Sequence, residues 1–282
     1  MGESILGNPE IAASARDEAR TPDEKLRNYG SIEFIALLGL GIAAWFVCAP
    51  VLPLPSNAHL RAFLIASGEM LFLVGVGCRA ARLPRLAPTA LRRLLERREP
   101  QLRTIELLYA AIGAAAVSIL GTRVLQAIVV KATWSPALAA KAPTAVKEAG
   151  RKAFELFRSH PIAVGIGFPV IEEIHFRLFL LTALAWTIAR LRRAPAEKLG
   201  ARGWWAAIAI QALMFGAIHA ATGEGTLWWE PRGVQMMLEP RAFAGVVLGY
   251  VYWRWGLETS ILAHVIADLS VLGYLMLHAP PA

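Results

Sequence analysis

The sequence predicts an all-α, polytopic membrane protein with about seven transmembrane helices. Of its 282 residues, 56% are hydrophobic, and its apolar stretches repeatedly approach or exceed the roughly 20 residues that carry an α-helix across a bilayer. Three short polar clusters sit inside those stretches: Glu172-Glu173-Ile-His-Phe-Arg177, Phe215-Gly-Ala-Ile-His219 and His264-Val-Ile-Ala-Asp268. A charge at the bilayer centre costs about 2.5 to 3.5 kcal/mol on insertion scales, so these groups need partners, water or a chemical role. Two adjacent carboxylates, two imidazoles and a third acid can activate water, which points to an intramembrane hydrolytic site.

Residues 1–30 are polar, with Arg16, Arg20, Lys25 and Arg27 set against Glu3, Glu10, Asp17, Glu18, Asp23 and Glu24. No short apolar core with a cleavage site is apparent there, so a non-cleaved tail is expected, with the first span as insertion signal. Spans are expected over residues 31–54, 62–78, 104–130, 161–190, 203–221, 242–254 and 257–278. Three regions follow: a tail over 1–30, N-terminal transmembrane helices with an amphipathic segment over 31–159, and a core over 160–278. In the first span, Gly39-Leu-Gly41 lies mid-helix with no strand before it, so it reads as small residues permitting close packing and not as a nucleotide loop. Gly245 and Gly249, four apart in the sixth span, read the same way. Residues 135–159 mix Ala, Pro and Lys with Phe154, Leu156 and Phe157, which suits a surface helix. The loop over 222–241 carries Trp228 and Trp229, read as interface anchors, with a substrate gate as the other reading.

With the tail on the cytoplasmic side, cytoplasmic segments hold 18 of the 29 Lys and Arg, and the far side holds 9. That bias places the N-terminus in the cytoplasm and the C-terminus outside. The net charge of +8 comes largely from the run Arg79 to Arg103, which reads as a cytoplasmic surface near anionic lipid and not as a nucleic-acid site. Cys48 and Cys78 fall near opposite faces, so neither a disulfide nor a CxxC zinc site is expected. Glu69 and Arg123 each lie seven residues inside the far-side ends of spans two and three, about 10 Å deep at 1.5 Å per residue. A structural ion pair between them is expected.

In the first cluster Pro169 suits the opening turn of a helix, which would place Glu172 and Glu173 in the first turn, where the dipole favours negative charge. Glu173 and Arg177, four apart, share a face and can pair. Adjacent residues point about 100° apart, so Glu172 addresses a different space. Glu172 is read as general base, Glu173 and Arg177 as its brace; a purely structural Glu/Arg network is the other reading. His219, late in the fifth span, is level with Glu172 and can meet it, although a lone helical histidine is also a common core residue. His264 and Asp268, four apart, face one cavity; that spacing suits a metal pair or two hydrogen-bonding groups. No HExxH zinc motif is present.

These motifs, in order, resemble the CAAX-protease and bacteriocin-processing family of intramembrane endopeptidases, whose signatures are EExxxR, FxxxH and HxxxN or HxxxD on successive core helices. The resemblance covers roughly residues 160–278. It implies a conical catalytic cavity between the core helices, Glu172 and His219 activating the attacking water, and His264 and Asp268 stabilising the oxyanion. It also implies a glutamic mechanism with no required metal or other cofactor. Position 268 is Asp where Asn is frequent; an ionised Asp cannot donate to an oxyanion and would have to be protonated or instead orient His264. His175 within the first motif is unusual, read either as a packing residue or as a modulator of Glu172.

The expected function is cleavage near the terminus of a membrane-anchored protein, lipidated or C-terminally anchored, with the lipid bilayer and that substrate as partners and no nucleic acid. A bacterial inner membrane suits the Ala/Arg-rich composition. Two alternatives stand beside it: a non-catalytic scaffold or self-immunity protein, and a small proton-coupled transporter, against which the lack of paired inverted halves counts.

Overall fold

A computed structural model of the chain describes residues 22–49, 59–82, 100–133, 155–193, 199–222 and 241–278. Helix α1 runs Pro22–Cys48, α2 His59–Arg82 and α3 Pro100–Thr133. Helix α4, residues 163–191, is continuous but not uniform. Wide π-type turns over Ala163–Gly167 lead into α-turns over Phe168–Glu173, a second π-type stretch over Ile174–Leu181 and α-turns over Thr182–Leu191. Helices α5 (Gly200–Thr222), α6 (Ala242–Trp255) and α7 (Leu257–His278) complete the bundle. No strand occurs among the described residues. The expectations for the tail before residue 22, the basic run between 83 and 99, the amphipathic segment before 155, and Trp228 and Trp229 lie outside the described residues.

Each of the seven expected spans overlaps a helix, the first only as far as Cys48, with residues 50–54 outside the described residues. Three of these helices are long and apolar enough to cross a membrane: Ile105–Leu125, Gly200–His219 and Leu257–Tyr274, with Phe34–Cys48 a shorter apolar stretch. The shortest of the three, 18 residues, rises about 27 Å, close to the hydrocarbon thickness. Helix α6, at 14 residues, rises only about 21 Å.

Polarity runs from inside to outside in the sense a bilayer demands. Glu173, Arg177, Gln211, Ser260 and His264 are buried, while Ile35, Ile65, Phe72, Tyr109, Leu120 and Met214 face outward. Lipid tails solvate apolar side chains, so the polar groups turn inward and pair. The protein is an integral membrane protein.

Helix α4 is central, packing on α1, α2, α5, α6 and α7, while α3 lies outside against α6 and α7. Small residues set the closest approaches. A Cβ on Gly245 would sit 2.9 Å from Ala212 Cα, and one on Gly41 would sit 2.9 Å from Met70 Sδ, whereas Gly39 faces open space. The close-packing reading therefore holds for Gly41, Gly245 and Gly249, where an added Cβ would sit 3.2 Å from Gln211 Oε1, and fails for Gly39. Between α6 and α7, Gly256 adopts φ 97°, a conformation that costs other residues strain. It lets the chain fold back so that Ser260 reaches the carbonyl of Leu248.

Two further sequence expectations change. Pro169 does not open α4. It sits at the start of an α-stretch that follows π-type turns, where the wider turn accommodates its ring and missing N–H. Glu172 and Glu173 thus lie mid-helix, without the helix-dipole support expected. The Glu69–Arg123 pair is also absent. Glu69 Oε1 instead meets His175 Nε2 at 3.0 Å, because α2 packs on α1 and α4 while α3 packs on α6 and α7.

At one end of the bundle Trp204 stacks on Trp253 and Trp205 on Tyr250, with Trp255 edge-on to Tyr250. From Trp205 to His219 the α5 axis rises about 21 Å. The polar clusters therefore lie toward the opposite end.

Candidate active site

Three helices supply the site, each with residues repeated at four-residue spacing so that they share a face. Helix α4 carries Glu173 and Arg177, α5 carries Phe215 and His219, and α7 carries Ser260, His264 and Asp268. Their meeting depends on the tight α5–α6 packing at Gly245 and the reversal at Gly256.

The floor is built around Glu173, whose side chain is 0% exposed. Its Oε1 lies 3.1 Å from Arg177 Nη1 and 2.8 Å from His264 Nδ1, and its Oε2 lies 2.5 Å from Ser260 Oγ. The Ser260 hydroxyl has one proton and a second acceptor in reach, the Leu248 carbonyl at 3.1 Å. The Arg177 guanidinium also lies 4.6 Å over the Phe215 ring, a cation–π contact that is strengthened where water is excluded. At 3.1 Å the Glu173–Arg177 contact is an ion pair by distance, while the guanidinium nitrogens do not meet hydrogen-bond geometry with any group among the described residues. A carboxylate, a guanidinium and an imidazole removed from water together are tolerable because each neutralises or bonds the next.

Above that floor sits Glu172, with a side chain 26% exposed. Its Oε1 is 3.5 Å from His219 Nε2 and its Oε2 is 3.7 Å from His264 Nε2. His264 Nε2 is also 3.9 Å from Asp268 Oδ1, and the Asp268 side chain is 42% exposed. The structure thus brings Glu172, His219, His264 and Asp268 around one space. These separations exceed the 2.7 to 3.2 Å of direct hydrogen bonds and suit a bridging water.

The other ring nitrogens fix which face each imidazole presents. His219 Nδ1 lies 2.9 Å from the Phe215 carbonyl oxygen, which can only accept, so Nδ1 carries the proton. His264 Nδ1 likewise donates to the Glu173 carboxylate. Both histidines therefore turn Nε2 toward Glu172, where it accepts when neutral and donates when protonated. Phe215 holds the two rings apart, its centroid 4.4 Å from that of His219 and 6.4 Å from that of His264.

Sequence reasoning passed over Ser260. Its signal was present, since residues 260, 264 and 268 are spaced four apart on one apolar helix. It also left His175 between two roles. The structure gives His175 bonds to the Ile171 carbonyl at 2.7 Å and to Glu69 at 3.0 Å. Among the described residues no group of three or more His, Cys, Asp or Glu side chains is arranged to hold a metal ion.

Residues 156–270 match a family model described as type II CAAX prenyl endopeptidase, Rce1-like. The match contains every polar site residue described above. No curated protein and no solved structure gives a significant match.

Proposed function

We propose, from the match of residues 156–270 to the Rce1-like model of type II CAAX prenyl endopeptidases, that the protein hydrolyses a peptide bond near the terminus of a membrane-anchored protein. The observation that carries this reading is the placing of Glu172 between His219 Nε2 and His264 Nε2, by three different helices, in a space bounded below by the Glu173–Arg177 pair.

In the proposed mechanism a water between Glu172 and His219 attacks the scissile carbonyl carbon. Glu172 takes its proton as general base, with His219 sharing and orienting that proton. The carbonyl π-electrons move onto oxygen, and the oxyanion is met by the protonated Nε2 of His264 while Nδ1–H remains on Glu173. Asp268 accepts from the same Nε2 before substrate binds, or donates to the oxyanion when it carries a proton. Such a donor is commonly worth about 3 to 4 kcal/mol. Collapse of the tetrahedral intermediate breaks the C–N bond, and the proton held by Glu172 passes to the leaving amine. No metal or other cofactor is assigned a role.

The charge bias of the loops supports a cytoplasmic N-terminus, and the Ala/Arg-rich composition supports a bacterial inner membrane. The start of α5, beside the aromatic cluster, would then be cytoplasmic, and the site would open toward the far side. That orientation favours exported, C-terminally anchored substrates over cytosolic prenylated ones; a reporter fused at residue 225 that reads as cytoplasmic reverses the preference. The deciding experiment compares membrane-protein termini in cells carrying wild type, Glu172→Ala or Glu173→Gln at matched levels. Termini that depend on Glu172 identify the cut sites. A phenotype that survives in both variants, with no new termini in any cell, marks a scaffold or immunity protein instead.

A further inference from the structure

The π-type stretch of α4 begins at Ile174, immediately after the two glutamates. At that junction the Ile174 N–H is shared between the carbonyls of Val170, four residues back, and Ile171, three residues back. The wide turn has a consequence for the site. It decides how the residues before it, Glu172 and Glu173, are rotated relative to Arg177 beyond it, and wide turns of this kind need stabilisation because the ordinary helical ladder is interrupted.

That stabilisation comes from outside the helix. His175 Nδ1 is 2.7 Å from the Ile171 carbonyl oxygen, and His175 Nε2 is 3.0 Å from Glu69 Oε1 on α2. The carbonyl only accepts, so Nδ1 is the donor. A contact from Nε2 to a carboxyl group then requires a proton between them, on the imidazolium or on Glu69. The chain of contacts Glu69, His175, Ile171 thus ties α2 to the turn that carries Glu172. Phe72, almost one turn on from Glu69, holds the same interface with its ring centroid 6.0 Å from that of Phe179.

We infer that Glu69, acting through His175, is a positioning residue that fixes the wide turn of α4 and so aims Glu172 between His219 and His264. Glu69 lies outside the segment that matches the family model, so the N-terminal helices contribute to the site and are more than a membrane anchor. Neither Glu69 nor His175 touches the reacting atoms. The kinetic part of this inference rests on the proposed proteolysis; the spectroscopic part does not.

The test uses the full chain in detergent with uniformly 15N-labelled histidine, resonances assigned through His175→Gln, His219→Gln and His264→Gln. Wild type shows His175 protonated at Nδ1. Glu69→Leu shifts the Nε2 resonances of His219 and His264, because Glu172 moves between them. Glu69→Gln restores the wild-type shifts, since an amide N–H can donate to a neutral Nε2. With a quenched-fluorescence peptide spanning a Glu172-dependent cut site as probe, Glu69→Leu lowers kcat roughly ten- to a hundredfold, the scale of a misplaced catalytic group. KM stays unchanged, and Glu69→Gln recovers most of the rate. A bare Nδ1 on His175, or unchanged His219 and His264 resonances in Glu69→Leu, overturns the inference. So does a Glu69→Leu enzyme whose kcat equals that of wild type. If wild type does not cleave the probe, the choice of substrate fails and the resonances alone decide the role of Glu69.

Discussion

His264 Nδ1 lies 2.8 Å from Glu173 Oε1, and this contact sets the orientation of the histidine that faces Glu172. A fully buried carboxylate holds the ring by one nitrogen and leaves the other for the space above. The two adjacent glutamates thus divide: one holds the histidine from below, and its neighbour, rotated about 100° along the helix, meets that histidine from above.

Glu173→Gln should separate this orienting role from folding. The amide can still accept, but it no longer neutralises Arg177. Turnover is expected to fall about a hundredfold or more, as when a catalytic histidine loses the acid that holds it. Steady-state kinetics on purified protein checks this, and a wild-type rate in Glu173→Gln would contradict the orienting role.

The buried ion pair makes a thermodynamic prediction of its own. Arg177→Met alone leaves the Glu173 charge without its guanidinium and should cost about 3 to 5 kcal/mol, whereas Arg177→Met with Glu173→Leu should recover part of that loss. Thermal unfolding in one detergent, with the two single variants and the double variant compared, reads the coupling. Additive losses would show that the two residues do not act as a pair.

Asp268 stands 3.9 Å from His264 Nε2, at a position where an amide would donate without needing a proton. Asp268→Asn is therefore expected to keep kcat within about tenfold of wild type, while Asp268→Ala loses about a hundredfold, the scale of one oxyanion donor. Equal activity of the alanine variant would remove Asp268 from the site.

The mechanism places no step on a metal. Prolonged dialysis against EDTA, followed by assay in chelator-treated buffer, should leave turnover unchanged, with residual metal measured in the same sample. Loss of activity on chelation, restored by a divalent cation, would require the donor groups around Glu172 to be reassigned.

Close helix contact at Gly245 is a packing prediction independent of chemistry. A side chain there meets the Ala212 backbone, which cannot yield as a flexible side chain can. Gly245→Val should cost about 1 to 3 kcal/mol by overpacking and lower activity in parallel by shifting α5, which carries His219. Unfolding midpoints check it against Gly39→Val, which meets open space and should be nearly silent.

The sequence by itself determined the helices, the inward-facing polar clusters and the pairing of Glu173 with Arg177. Those properties follow from local rules: a bilayer requires apolar helices, and four-residue spacing puts two side chains on one face. It also indicated that Glu172 and His219 could meet, because residues near the same end of neighbouring helices lie at similar depth. Depth does not say which helices are neighbours or how each is rotated. Only the tertiary structure decided that Glu69 faces His175 instead of Arg123, that Ser260 donates toward Glu173, and that His264 is shared between both glutamates. Interhelical rotation and distance are set by small residues such as Gly41 and Gly245, and by wide turns whose register depends on partners in other helices. The rotation of Glu172 within α4 is the clearest case. Pro169 suggested a helix start with a favourable dipole, whereas the folded chain places the glutamate mid-helix between two π-type stretches, held by contacts that no local spacing encodes.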